Sequence, residues 1–343
     1  MTASALHYPF PTPPASGDLC PVAPGVFWLR LPLPFALDHI NLWLLRDGAG
    51  WTLVDTGLGS ATTQAQWEGV LARLDGPVTR IVVTHFHPDH LGQAAWLAER
   101  CGAAVWMTAG EFLTAHTVWQ EVGGHGPAAM VAQFRDHGLD AARQSVQLQR
   151  GNVFRKGVPH LPATYRRLVD GERLEIDGQP WRVLVGHGHS PEHGALYAAD
   201  ANVLISGDML LPRISTNVSV FAATPEDNAL GRFLASLKKL EAAVGEDTLV
   251  LPSHGRPFVG VGPRVAALHE HHRERLAELE AACDTPQSAA DLLPVLFPRE
   301  LDAHQLMFAM GEAIAHLNYL DQAGRLVRTR GTDGVFRYCR STN

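Results

Sequence analysis

The segment Thr84-His85-Phe86-His87-Pro88-Asp89-His90 constrains this chain more than any other stretch of its sequence. It follows directly on TRIVVT (79–84), an apolar, β-branched run that reads as a buried strand, so imidazoles and a carboxylate crowd one strand end. On an extended backbone alternate side chains share a side, which puts His85 and His87 within reach of one metal ion at about 2.0–2.1 Å. Asp89 and His90, on the turn into the next helix, are displaced from them and suit a second ion. Imidazoles packed this densely would repel on protonation, so a merely solvated loop accounts poorly for them.

The flanking segments alternate in type. VFWLRLPL (26–33), INLWLL (40–45) and GWTLVD (50–55) are short aromatic and β-branched runs set off by turn residues, and they read as successive strands. Thr62 to Leu74 has helical apolar spacing, LGQAAWLAERCG (91–102) reads as a helix ending at Gly102, and AVWM as the next strand. Such alternation predicts an α/β fold layered around a sheet core. Residues 110–165 break the rhythm with helical stretches (EFLTAHTVWQEVG, PAAMVAQFRDHGLDAARQSVQ) and a Pro-containing loop, an insertion of a size that suits a lid or a substrate wall. Strands resume at RLEI, WRVLVG (181–186), GALYAAD (194–200) and NVLISGD (202–208). A helix at about 225–243, a last core strand LVLPSH (249–254) and an amphipathic helix from about 263 to 282 complete this part.

Further candidate ligands stand at the ends of those later strands: Gly188-His189-Ser190-Pro191-Glu192-His193, Ser206-Gly207-Asp208 and Pro252-Ser253-His254-Gly255. Asp208 closes an apolar strand, where an unpaired charge is costly and a metal partner resolves the cost. The chain holds 18 histidines and only 4 cysteines. Cys20, Cys101, Cys283 and Cys339 form no C-x-x-C pair, so neither a thiolate zinc site nor a disulfide framework is predicted, and reduced thiols in the cytoplasm are expected. His116, His125, His137 and His160 fall in the insertion and read as partly exposed or pocket-lining; His269, His271 and His272 read as a solvated face of the long helix.

In the order T-H-x-H-x-D-H, G-H-x-P-x-H, S-G-D and a late S-H-G, spread over residues 25 to about 262, the chain resembles the metallo-β-lactamase superfamily of metallohydrolases. The resemblance implies a four-layer αβ/βα sandwich with one metal held by His85, His87 and His189, a second by Asp89, His90 and His254, and Asp208 bridging them. Asp55 in Leu53-Val54-Asp55-Thr56-Gly57 matches the superfamily's early Asp, which orients the site, and His193 stands behind the ligands. Gly186-His187-Gly188-His189 offers two candidates for the third histidine; the Gly-His-x-Pro-x-His frame selects His189, with His187 as the alternative. Diiron flavoproteins resembling this fold have Glu at the position of His87, so a histidine there fits the hydrolytic branch. That favours two zinc ions, although imidazole–carboxylate sites also accept Mn and Fe. Two divalent ions about 3.5–4 Å apart would lower the pKa of a bridging water and present hydroxide beside a polarised carbonyl, with Asp89 as the catalytic residue that orients it. No covalent intermediate is then needed.

Three parts are expected. Residues 1–24 form a Pro-rich arm without the basic start of a signal peptide, and no apolar run approaches the roughly 18 residues of a membrane span, so no membrane partner is expected. Residues 25–283 form the catalytic domain with its insertion, and 284–343 a small winged-helix-like domain. There TPQSAADLLPVLF opens with a Thr-Pro helix signal, HQLMFAMGEAIAHLNYLDQAG is a helix closed by Gly324, and RLVRTRGTDGVFRYC turns as a hairpin at Asp333-Gly334. This part resembles the winged-helix domain of a superfamily branch that includes acyl-thioester and hydroxyacylglutathione-type hydrolases and a nucleolytic relative. The net charge of −7 argues against nucleic acid, and Leu301 to Gly324 has no Lys or Arg but carries Asp302, Glu312 and Asp321. Only Arg325, Arg328, Arg330, Arg337 and Arg340 cluster, so the domain reads as a packing module or one that forms a homodimer. The expected activity is hydrolysis of a small-molecule thioester or ester (acyl-CoA, glutathione thioester or lactone), with a metal-dependent endoribonuclease as the alternative.

Overall fold

The β-branched and aromatic runs of the first half fold into a seven-stranded sheet in sequence order: β1 (Leu19–Ala23), β2 (Val26–Pro32), β3 (His39–Asp47), β4 (Gly50–Val54), β5 (Val78–Val82), β6 (Ala104–Thr108) and β7 (Arg166–Leu168). The first four strands pair antiparallel and the last four parallel. Parallel neighbours need crossovers. Helix α1 (Ala61–Leu71) joins β4 to β5, and α2 (Pro88–Leu91) with α3 (Ala94–Cys101) joins β5 to β6. Strand β1 lies within the stretch expected to be an arm; its Pro21 is tolerated because β1 is an edge strand paired only with β2.

A second, six-stranded sheet has the order β13-β12-β11-β10-β9-β8, from β8 (Arg173–Ile176), β9 (Gln179–Gly186), β10 (His193–Ala198), β11 (Val203–Gly207), β12 (Leu249–Pro252) and β13 (Phe258–Val259). All neighbours are antiparallel except β11 and β12. One face of each sheet supplies a shared core in which Trp28, Trp43, Val54 and Val82 meet Trp181, Val183, Leu196, Ile205 and Leu251. Burying each of these large apolar side chains contributes about 1.5–3 kcal/mol before entropy is counted. Helices α1 and α3 cover the outer face of the first sheet. The remaining helices are α4 (Ala109–Gln120), α5 (Pro127–Asp136), α6 (Ala141–Arg150), α7 (Val153–Gly157), α8 (Ala229–Ala243), α9 (Val261–Ala282), α10 (Leu293–Leu296) and α11 (Ala303–Gln322). The second half of α8 is tied to β9, with Lys239 Nζ donating to Val185 O and Arg182 to Ala243 O, each at 2.8 Å. The result is the expected αβ/βα arrangement of two sheets with helices outside them.

This computed structural model describes residues 6–341, and its contacts divide them into two units. The first comprises the described part of Met1–His116 with Phe154–Thr216 and Ser236–Val265 and contains both sheets; the second comprises Thr117–Val153, Asn217–Ala235 and the described part of Ala266–Asn343. In the second unit Asp302 caps α11 by accepting from the backbones of His304 and Gln305 at 2.8 Å, and Gly324, with φ 70°, ends it. A hairpin of β14 (Leu326–Arg330) and β15 (Phe336–Arg340) follows.

Two expectations for this unit are corrected. The helix anticipated from Thr285 is confined to Leu293–Leu296, because Gln287 is extended and exchanges two backbone hydrogen bonds with Tyr338 (3.0 and 2.8 Å). His272 is not on a solvated face: it is 0% exposed, on the apolar stripe of Leu268, Leu276 and Leu279, and its Nδ1 lies 3.1 Å from His316 Nε2. No helix among the described residues is long and apolar enough to cross a membrane.

Candidate metal centre

Five strands of the first unit deliver their C-terminal ends to one place. Asp55 follows β4; His85 and His87 follow β5, with Asp89 and His90 in the short helix α2; His189 follows β9, Asp208 follows β11 and His254 follows β12. The imidazoles of His85, His87 and His189 form one group: His85 Nε2 is 3.0 Å from His87 Nδ1 and 3.1 Å from His189 Nε2. Asp89, His90 and His254 form a second, with Asp89 Oδ2 at 3.4 Å from His254 Nε2 and 3.8 Å from His90 Nε2. Asp208 stands between them. Its Oδ2 is 3.6 Å from His189 Nε2, and its Oδ1 is 3.6 Å from His90 Nε2 and 3.5 Å from His254 Nε2.

Neighbouring groups decide which nitrogen faces the cluster. His254 Nδ1 donates to the carbonyl of His39 (2.8 Å) and His90 Nδ1 to Asp55 Oδ2 (2.8 Å), so in both rings Nε2 is the nitrogen that faces the cluster. Thr84 gives its hydroxyl proton to Asp55 Oδ2 (2.9 Å) and can therefore only accept from His85 Nδ1 at 3.0 Å, which again turns Nε2 inward. Asp55 also accepts from the Thr84 backbone at 2.7 Å.

The two groups differ electrically. Burial, with neighbouring imidazoles adding to it, pushes His85 well down and His87 down to about 3, so both of these rings are neutral. Burial also opposes protonation of His254 and His90, but carboxylates outweigh it: Asp208 and Asp89 lift His254 to about 10, and Asp55, Asp89 and Asp208 hold His90 well above its ordinary value. In turn His90 and His254 overcome the burial of Asp89 and bring it to about 2, and they keep Asp208 well below the carboxylate range. His85 and His87 thus offer neutral nitrogens, while around His90 and His254 ionised oxygens draw positive charge, here the protons that a divalent cation would displace. His90 Nε2 and Asp208 Oδ1 are buried, aim at each other across 3.6 Å and have no hydrogen-bond partner among the described residues. Bare imidazole nitrogens, carboxylates and orphaned buried atoms fit a divalent cation, which takes these donors at about 2.0–2.2 Å.

All seven side chains read from the sequence as ligands are brought together here. His187, the alternative to His189, is exposed, and its Nδ1 lies 2.6 Å from the Pro191 carbonyl; it joins neither group. His193 is buried behind the cluster and accepts at Nε2 from the Asp208 backbone at 3.1 Å. The Gly in Ser206-Gly207-Asp208 is explained by that ring: Gly207 has φ 54°, and a Cβ there would lie 2.3 Å from His193 Nε2. Sequence reading missed His39 and Asn41. Besides the bond from His254, His39 accepts at Nε2 from Gly255 N (2.8 Å), and Asn41 Nδ2 donates to the carbonyls of Pro252 (2.8 Å) and Gly255 (2.9 Å). The two residues hold the turn that carries His254, and no local motif marks them.

The profile of the metallo-beta-lactamase superfamily matches residues 36–254, and that of the metallo-beta-lactamase-like C-terminal domain matches 276–341. A crystal structure of a beta-lactamase domain protein from Burkholderia ambifaria is 50% identical, with a TM-score of 0.90 over 98% of both chains. A probable metallo-hydrolase of Bacillus subtilis is 25% identical over 86% of this chain and 92% of its own length. A hydroxyacylglutathione hydrolase of Pseudomonas paraeruginosa is 27% identical over 70% of this chain and 73% of its own.

Proposed function

The chain belongs to the metallo-β-lactamase superfamily of metallo-hydrolases, and from that premise we propose that it hydrolyses a small-molecule thioester or ester, such as an acyl-CoA, a glutathione thioester or a lactone. The observation that carries the proposal is the convergence of two donor groups on one buried carboxylate, Asp208, with donor atoms in each group within 4.8 Å of one another. His85, His87 and His189 would hold one divalent ion and Asp89, His90 and His254 the other, with Asp208 shared; an imidazole–carboxylate set suits zinc and also accepts Mn or Fe. Such ions supply Lewis acidity and a water that ionises near neutral pH.

The protein's own part is positioning. Asp55 and the His39 carbonyl hold the protons of His90 and His254 on Nδ1. Asp89, whose side chain is 20% exposed, is the carboxylate that would accept a hydrogen bond from the attacking water and set its direction. The carbonyl substrate is supported by the relative that acts on hydroxyacylglutathione.

Charge pairing argues against the ribonuclease reading. In the second unit Arg325 pairs with Glu280, Arg328 with Glu226, Arg330 with Asp136, Arg337 with Asp333 and Arg340 with Asp284, so the hairpin's arginines already face carboxylates. We assign residues 284–343, in their winged-helix-like role, to packing or dimer formation.

The test is a panel of thioester, ester, lactone and RNA substrates on zinc- and manganese-loaded protein. Thioester or ester turnover that a chelator abolishes and metal restores is expected. Salt-sensitive RNA cleavage without ester turnover, or metal uptake with no turnover of any of them, overturns the proposal.

A further inference from the structure

Glu111 lies in the first turn of α4, outside every motif of the site, yet it is 0% exposed. A buried carboxylate needs partners, and Glu111 finds three. Its Oε2 accepts from the Phe86 backbone N–H at 2.9 Å, and its Oε1 accepts from the Ser190 hydroxyl at 2.7 Å and the Glu192 backbone N–H at 2.6 Å. Phe86 is the residue between His85 and His87, and Ser190 follows His189. The segment after His189 is also held to the start of α4 beside it, where Thr108 Oγ1 donates to the Glu192 carbonyl (2.7 Å) and Gly110 N–H to Glu192 Oε2 (2.8 Å).

We propose that Glu111 is a positioning residue that sets the spacing of His85 and His87 against His189, and so the affinity of the three-histidine group for its ion. A single side chain thereby ties both peptide segments of that group together, and all three of its bonds go to those segments. The chemistry demands a carboxylate: three donors converge on two oxygens, whereas a carboxamide offers one acceptor oxygen and turns its NH2 toward a donor. The group of Asp89, His90 and His254 receives nothing from Glu111; His90 and His254 are oriented by Asp55 and His39 instead. The effect is therefore confined to one of the two groups, which a general loss of packing would not reproduce.

The inference rests on reading the cluster as a metal centre, and the experiment separates the two. Metal-free full-length protein is titrated with Co(II), followed by its visible d–d absorption, for the parent, Glu111→Gln and His189→Ala. The binding step lost in His189→Ala identifies the three-histidine group. In Glu111→Gln that step is expected to weaken by about tenfold or more, with a changed spectrum, while the other step keeps its affinity. Both steps unchanged, or both weakened alike, overturns the role of Glu111. A parent protein that takes up no Co(II) overturns the metal-centre reading itself. Should Glu111→Gln not fold, Ser190→Ala, which removes one of the bonds to Oε1, is read in the same way: weakening of the His189-dependent step alone supports the role, and any other pattern overturns it.

Discussion

Asp55 Oδ2 lies 2.8 Å from Nδ1 of His90, and both side chains are buried to 1% exposure or less. The pair joins the end of β4 to the first turn after β5, and Asp55 reaches it from a left-handed backbone with φ 63°. Asp is one of the few residues that tolerates this region, and its second oxygen accepts from the Thr84 backbone. One residue therefore fixes the His90 tautomer and the entry of the ligand-bearing loop.

Asp55→Asn tests that role cleanly, because Asn also tolerates the left-handed backbone and only the hydrogen bonding changes. The amide keeps one acceptor oxygen, so either Thr84 or His90 faces an NH2. Zinc affinity is expected to fall by about 10–100-fold, with the circular dichroism of the metal-free protein preserved. Competition with a chromophoric chelator measures it; parent-like affinity would show that the tautomer of His90 is set elsewhere.

The two candidates for the third histidine separate just as sharply. His189 Nε2 is 3.1 Å from His85 Nε2, whereas exposed His187 turns Nδ1 to the Pro191 carbonyl. His189→Ala should lose about one metal per chain and nearly all turnover, while His187→Ala keeps both ions. Metal analysis by plasma mass spectrometry decides the matter, and equal metal loss in the two variants would refute the assignment.

The centre was legible where ligands cluster along the chain or end a strand, because strand-end spacing is local: His85, His87, Asp89 and His90 announce themselves within one turn. His39 and Asn41 were not legible, since what they hold lies more than 200 residues away and depends on β3 meeting the turn after β12. The same limit explains Gln287, whose extended backbone is dictated by Tyr338 rather than by its neighbours, and His272, where a polar residue type masks a position in an apolar stripe. The second unit is assembled from three separated segments, a grouping that a reading along the chain cannot express.

Gly207→Ala should show how tightly the S-G-D turn is built. The left-handed φ of 54° costs an L side chain about 1 kcal/mol, and the new Cβ would have to displace the His193 ring 2.3 Å away. Moving that ring disturbs its acceptance from the Asp208 backbone. A destabilisation of about 2–4 kcal/mol is expected, together with weakened metal binding. Urea unfolding of the metal-free variant gives the first quantity; an unchanged midpoint would mean that the turn has room to spare.

Acid should weaken the second unit through His272 and His316. Both are 0% exposed, and burial holds them down to about 3 and about 4 respectively, with neighbouring His271 adding to each. In the unfolded chain an imidazole titrates near 6.5, so between that pH and about 4 the unfolded state binds more protons than the folded one. Stability is then fully present above about pH 6.5 and is lost as pH falls toward the folded values. The loss is about 2 kcal/mol for each imidazole at pH 5, taking 1.36 kcal/mol per pH unit. His272→Gln keeps a donor for His316 Nε2 but has nothing to protonate, so it should lose about 2 kcal/mol less than the parent between pH 7.5 and pH 5. Urea unfolding of both metal-free proteins at the two pH values provides the comparison. Because the centre titrates equally in each, the difference isolates position 272, and identical acid losses would mean that His272 takes up its proton in the folded protein as readily as in the unfolded chain.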